Sequence, residues 1–77
     1  MPTLLTKNGF KFFFYANEHE PKHIHVMKGG EYLKINLHDG SIVNSKMKPK
    51  NIKMVIKIVE MNKVTFIGKW DEWFDNR

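Results

Sequence analysis

Glu31-Tyr32-Leu33-Lys34-Ile35-Asn36-Leu37-His38 places apolar residues at 33, 35 and 37 and polar or amphipathic ones between them. A period of two is the mark of a strand with one buried face. Gly29-Gly30 precedes this stretch and Asp39-Gly40 follows it, and both are turn dipeptides. The chain on either side is therefore expected to fold back antiparallel, His23 to Lys28 upstream and a short Ser41 to Asn44 strand downstream. Further upstream, Phe10-Lys11-Phe12-Phe13-Phe14-Tyr15 is aromatic and free of Gly and Pro, which is strand chemistry. The polar Asn17 to Pro21 segment links it to His23.

Beyond Asn44 the period changes. Pro49 suits the first turn of a helix, where its missing N–H is not needed. Ile52, Val55, Ile56 and Val59 then recur at helical spacing, predicting an amphipathic helix from Pro49 to about Met61. Val64, Ile67, Trp70 and Phe74 fall on one face of a second helix with Asn62 as its N-cap, although Val64 to Gly68 also has strand composition. The expected fold class is α+β: a three- to four-stranded antiparallel meander with two C-terminal helices packed on one face, a single domain over residues 1–77.

Alternation also assigns faces. Phe10, Phe12, Phe14, Ile24, Val26, Leu33, Ile35 and Leu37 form the apolar set that the helices should cover. Lys11, Phe13, Tyr15, His23, His25, Tyr32, Lys34, Asn36 and His38 share the opposite face. Such a collection of aromatics, histidines and lysines suits a flat anionic ligand such as RNA.

Composition narrows the classes. At 77 residues, folding hides only about 60% of the chain's surface, so stability is modest. The absence of cysteine excludes a thiolate metal site and fits a reducing compartment. The longest apolar run, Phe12 to Ala16, is far too short to span a bilayer. Met1 to Thr6 lacks the regions of a signal peptide, and the chain reads as cytoplasmic. The net charge is +5, and no acid lies between Asp39 and Glu60, where Lys46, Lys48, Lys50, Lys53 and Lys57 fall. That basic segment fits an acidic partner or nucleic acid without base-specific readout, because lysine lacks arginine's fork. Trp70, Trp73 and Phe74 read as packing residues, with an exposed tryptophan marking a protein partner or a homo-oligomer.

The chemistry concentrates in Asn17-Glu18-His19-Glu20-Pro21-Lys22-His23-Ile24-His25-Val26, which holds three of the four histidines. Three readings apply. In a metal-independent ribonuclease, His23 and His25, roughly 6.6 Å apart along one strand face, serve as acid and base. His19 and Glu18 support them, while Tyr15, Lys11, Lys34 and Asn17 hold the substrate. In a divalent-metal module, His23 and His25 join His19 or Glu20 as ligands. In a structural role, the histidines hydrogen-bond the Asn17 to Pro21 turn, and Tyr15 and Tyr32 are ordinary cross-strand partners.

Gly9 to Val26, with Asn17, Glu18, His19, Pro21, His23 and His25 in place, resembles the opening of the small bacterial family known as domain of unknown function 4160. The resemblance extends through the later strand and the final Trp70 and Phe74. It departs at Lys48, where the family usually has a serine cap, and at Thr65, Phe66 and Gly68, where leucines are usual. What the resemblance implies is a toxin-like component of a toxin–antitoxin module, acting on RNA and paired with a small antitoxin that would cover Lys46 to Lys57. The alternative expectation is a non-enzymatic metal- or partner-binding module.

Overall fold

The computed structural model describes residues 3–75; residues 1, 2, 76 and 77, the ends of the expected 1–77 domain, lie outside them. Among the described residues, five strands, β1 (Thr3–Lys7), β2 (Phe10–Phe13), β3 (His23–Lys28), β4 (Glu31–Asn36) and β5 (Ile42–Lys46), form one antiparallel sheet in chain order. One helix, α1 (Pro49–Trp70), follows and ends in a π-helical turn, Asp71–Asp75. The sheet is thus wider than the expected three or four strands, and the expected pair of helices is one.

Both corrections have local causes. Thr3–Lys7 joins the sheet through a two-residue turn in which Asn8 and Gly9 have φ of 54° and 82°, the backbone that tight hairpins favour. A register shift between Thr3 and Leu5 breaks the alternation that would have revealed this strand. Asn62, expected as a cap, lies inside α1, where its Nδ2 donates to the Ile58 carbonyl at 2.8 Å. With that side chain satisfied by the preceding turn, the helix runs on. Its buried stripe continues from Val55, Ile58 and Val59 to Phe66 and Trp70. Residues 63–68 are helical as expected, but Val64, assigned to the buried face, is 86% exposed.

Lys48 precedes Pro49 without capping the helix by its own side chain. The cap comes from β4 instead: Glu31 accepts the Lys48 N–H at 2.7 Å through Oε1 and the Asn51 Nδ2 at 2.9 Å through Oε2. A carboxylate there also meets the positive end of the helix dipole. These hydrogen bonds hold the Glu31 carboxyl below its ordinary range.

The core is the apolar set that alternation assigns, closed by α1. Phe10, Phe12, Phe14, Ile24, Val26, Leu33, Ile35 and Leu37 are all essentially inaccessible. Phe12 stacks on Phe66 at 5.6 Å and Phe14 meets Trp70 edge-on at 5.1 Å. β3 is the middle strand of the five, so its outward side chains stand at the centre of the face away from the helix.

Candidate functional site

That outer face is not the open surface expected from alternation. His23 and His25 are each only 4% exposed and Phe13 only 1%. The segment between β2 and β3 folds over them: the Tyr15 ring lies 4.6 Å from the His25 ring and 5.4 Å from Phe13, while Phe13 stacks on His25 at 5.5 Å. His23 packs edge-on against Trp70 at 5.0 Å, so the end of β3 also touches the helix.

From this segment Glu18 reaches both histidines. Its Oε1 stands 2.9 Å from His23 Nε2 and its Oε2 2.7 Å from His25 Nε2. Oε2 also accepts the Tyr15 N–H at 3.2 Å. The other ring nitrogens are held as well. His23 Nδ1 is 2.8 Å from the Pro21 carbonyl, across a turn with a cis Glu20–Pro21 bond, and His25 Nδ1 is 2.8 Å from the Tyr32 hydroxyl.

The proton inventory of this cluster is informative. A carbonyl only accepts, so His23 Nδ1 must carry the hydrogen. A neutral His23 then presents a bare lone pair at Nε2, facing a carboxylate oxygen 2.9 Å away. Two acceptors at that distance require a cation between them, either a proton shared by His23 and Glu18 or a metal ion. His25 has more freedom, because the Tyr32 hydroxyl can donate or accept.

Electrostatics agree with a strongly coupled group. Burial holds the His25 imidazole below its ordinary value; Glu18 opposes this, and His23 and Lys34 add to it. Burial pushes the Glu18 carboxyl up, but the His23 hydrogen bond, the Tyr15 N–H and attraction to both rings leave it below its ordinary value. Burial raises the Tyr32 phenol, assisted by Tyr15 and Glu18, and keeps it protonated.

Beside the cluster opens a cavity of about 410 Å³ whose walls include Asn17, Glu18, His19, His23, Lys34 and Asn36. His19 and Asn17 are exposed at this cavity and are not among the hydrogen-bond partners of the Glu18 carboxylate. Lys34 is the direct cross-strand neighbour of His25, and Asn36 that of His23. Lys11 lies elsewhere, with its ammonium 5.7 Å from the Phe13 ring. The structure therefore gathers Glu18, His23, His25 and Tyr15, with Lys34 adjoining, and leaves His19, Asn17 and Lys11 outside the hydrogen-bonded cluster. Among the described residues, Glu18, His23 and His25 are the set whose donor atoms converge, all within 4.8 Å of one another.

Residues 9–71 match the family model described as Domain of unknown function (DUF4160). The chain belongs to this family. The DUF4160 match runs from the β1–β2 turn to the end of α1 and so includes every member of the cluster. No curated protein and no solved structure matches the chain. The family description carries no activity, so a functional reading of this DUF4160 domain rests on its site.

Alternation puts Tyr32 and Asn36 on this face, Tyr32 as a cross-strand partner, without assigning either to the histidine cluster. Tyr32 lies two residues from Lys34, the partner of His25, which makes it a diagonal cross-strand neighbour within reach of a long side chain. Parity alone carried that signal. The Pro21 carbonyl had no side-chain signature at all.

Proposed function

We propose that this domain is a metal-binding module in which Glu18, His23 and His25 hold one divalent transition-metal ion. The observation that supports this most directly is the His23 lone pair directed at the Glu18 carboxylate while Nδ1 is committed to a carbonyl. Replacing the shared proton by an ion removes the conflict and leaves both Nδ1 contacts in place. Both Nδ1 atoms then occupy the position in which metal-bound histidines donate to an outer oxygen, fixing the ring and raising its basicity. Two imidazoles and a carboxylate suit zinc, and equally iron(II) in a site with open positions. Tetrahedral ligands about 2.1 Å from zinc stand about 3.4 Å apart, so the rings close slightly and the carboxylate withdraws on loading.

Chelator-stripped protein titrated with Zn²⁺ tests the reading. Stoichiometric binding with a raised melting temperature is expected in the parent and in His19→Ala, and loss of both in Glu18→Gln. This separates the set assembled here from the histidine-only set. Zinc binding unaffected by Glu18→Gln, or no binding at all, overturns the reading and leaves a proton-held ion pair.

The RNA-directed, toxin-like role implied by the family resemblance becomes, on this reading, metal-assisted. It draws support from the basic character of α1, where Lys50, Lys53 and Lys57 line an exposed depression around Met54. That lysine face is also where we place the small acidic antitoxin. Arrest of bacterial growth on induced expression, absent in folded Glu18→Gln, is the expected outcome; unimpaired growth with the parent contradicts it.

A further inference from the structure

We infer that the cavity beside the cluster binds a phosphoryl group, one of whose oxygens completes the coordination of the metal ion. The inference rests on the metal reading above and goes further, naming the ligand class that the site takes.

On the outer face, β3 supplies His23 and His25, and β4 supplies their direct cross-strand partners Asn36 and Lys34. Directly opposed residues stand about 4.5–5.5 Å apart at their Cβ atoms, so Lys34 and Asn36 flank the imidazoles. Three protein donors leave an ion that favours four-coordination with an open position. Because Glu18 and His23 themselves form part of the cavity wall, that position faces the cavity.

The wall has a cation to spare. Lys34 is half-buried and makes no ion pair among the described residues. With the ion bound, three positive charges meet the carboxylates of Glu18 and Glu20, of which Glu20 is exposed at the rim. A site of net positive charge around an open metal position selects an anion able to touch the ion with one oxygen and the lysine with another. A phosphoryl group does this, and lysine meets phosphate as a point charge without needing a fixed approach angle.

Asn36 offers a further hydrogen-bonding group on the same wall. Asn36 lines this cavity, and its Oδ1 is buried without a hydrogen-bond partner among the described residues, while its Nδ2 donates to Ser41 Oγ at 3.1 Å. A buried acceptor left unmatched is unfavourable. Turned toward the cavity, the Asn36 amide would accept from a hydroxyl on the bound group, either the protonated oxygen of hydrogenphosphate or an alcohol of a sugar phosphate.

Cobalt(II) makes both levels of the argument visible, because its absorption in the visible range reports changes in its ligands. The stripped protein is loaded with one equivalent of Co²⁺ and then titrated with inorganic phosphate, and in parallel with ribose 5-phosphate. A saturable spectral change is expected in the parent. In Lys34→Met the phosphate affinity should fall about ten- to a hundredfold, the effect of losing a charge-assisted contact, with recovery in Lys34→Arg. Tighter binding of the ester assigns the site to sugar phosphates, and tighter binding of the free ion assigns it to phosphate itself. A cobalt spectrum that forms but ignores both anions overturns the inference and spares the metal reading. Failure to bind cobalt overturns both. A phosphate response that survives Lys34→Met unchanged removes the lysine's part and the inference with it.

Discussion

A histidine whose Nδ1 is committed to a backbone carbonyl has only Nε2 left for chemistry, and here that nitrogen faces a carboxylate. The acidity of the metal-free protein should therefore be legible in its stability. His25 lies below its ordinary value of 6.5 through burial, so the unfolded chain takes up a proton that the folded chain refuses. Stability accordingly falls as pH drops below about 6.5. Glu18, held below its ordinary 4.5 despite burial by the His23 and Tyr15 hydrogen bonds, contributes stability that is present above that value and lost as pH falls through its depressed folded value. Thermal melts of metal-free protein should show stability falling through the carboxylate range, where the Glu18 carboxylate that both rings face is protonated. A melting temperature unchanged through the carboxylate range would contradict this arrangement. At this scale the sequence was partly readable. Parity put His23 and His25 on one face, but the choice of Glu18 over His19 as their companion depends on how an aperiodic segment turns, and no residue pattern encodes that.

The elements show why helix boundaries were harder to read than strand faces. Asn62 has the composition of a cap, yet it sits in mid-helix and bonds back to Ile58. Asn62→Ala should leave stability unchanged or raise it by up to about 0.5 kcal/mol, as alanine is the better helix former. A true cap would lose about 1 kcal/mol on the same change, so chemical denaturation distinguishes the two. The helix start at Pro49 was read correctly, but its cap was not legible, because it arrives from Glu31, distant in sequence. Glu31→Ala should lower the melting temperature by a few degrees, while Lys48→Ala, which keeps the backbone N–H, should leave it nearly unchanged. Strand faces were easier, because each apolar residue declares its side by parity. The exception, β1, has a register shift that hides it.

For the molecule as a whole, a domain of this length has roughly 4–12 kcal/mol of stability to lose, at about 0.05–0.15 kcal/mol per residue. Phe12, fully buried and stacked on Phe66, ties the sheet to α1. Phe12→Ala should cost about 3–5 kcal/mol, bringing the protein close to unfolding at ambient temperature by denaturant titration. Metal loading should act in the other direction: free ion at about a hundred times its dissociation constant adds roughly 2.7 kcal/mol. No helix among the described residues is long and apolar enough to cross a membrane, and one apolar core lies between sheet and helix. The sheet follows the chain without crossovers, and this order has a consequence for how the site comes into being. The hydrogen bonds that tie Glu18, Pro21 and Tyr32 to the two histidines span at most seven residues along the chain. Closing such short loops costs little entropy. The donor set is thus a property of one continuous length of polypeptide, assembled by contacts as local as those of a hairpin, and α1 is needed chiefly as the floor on which it rests.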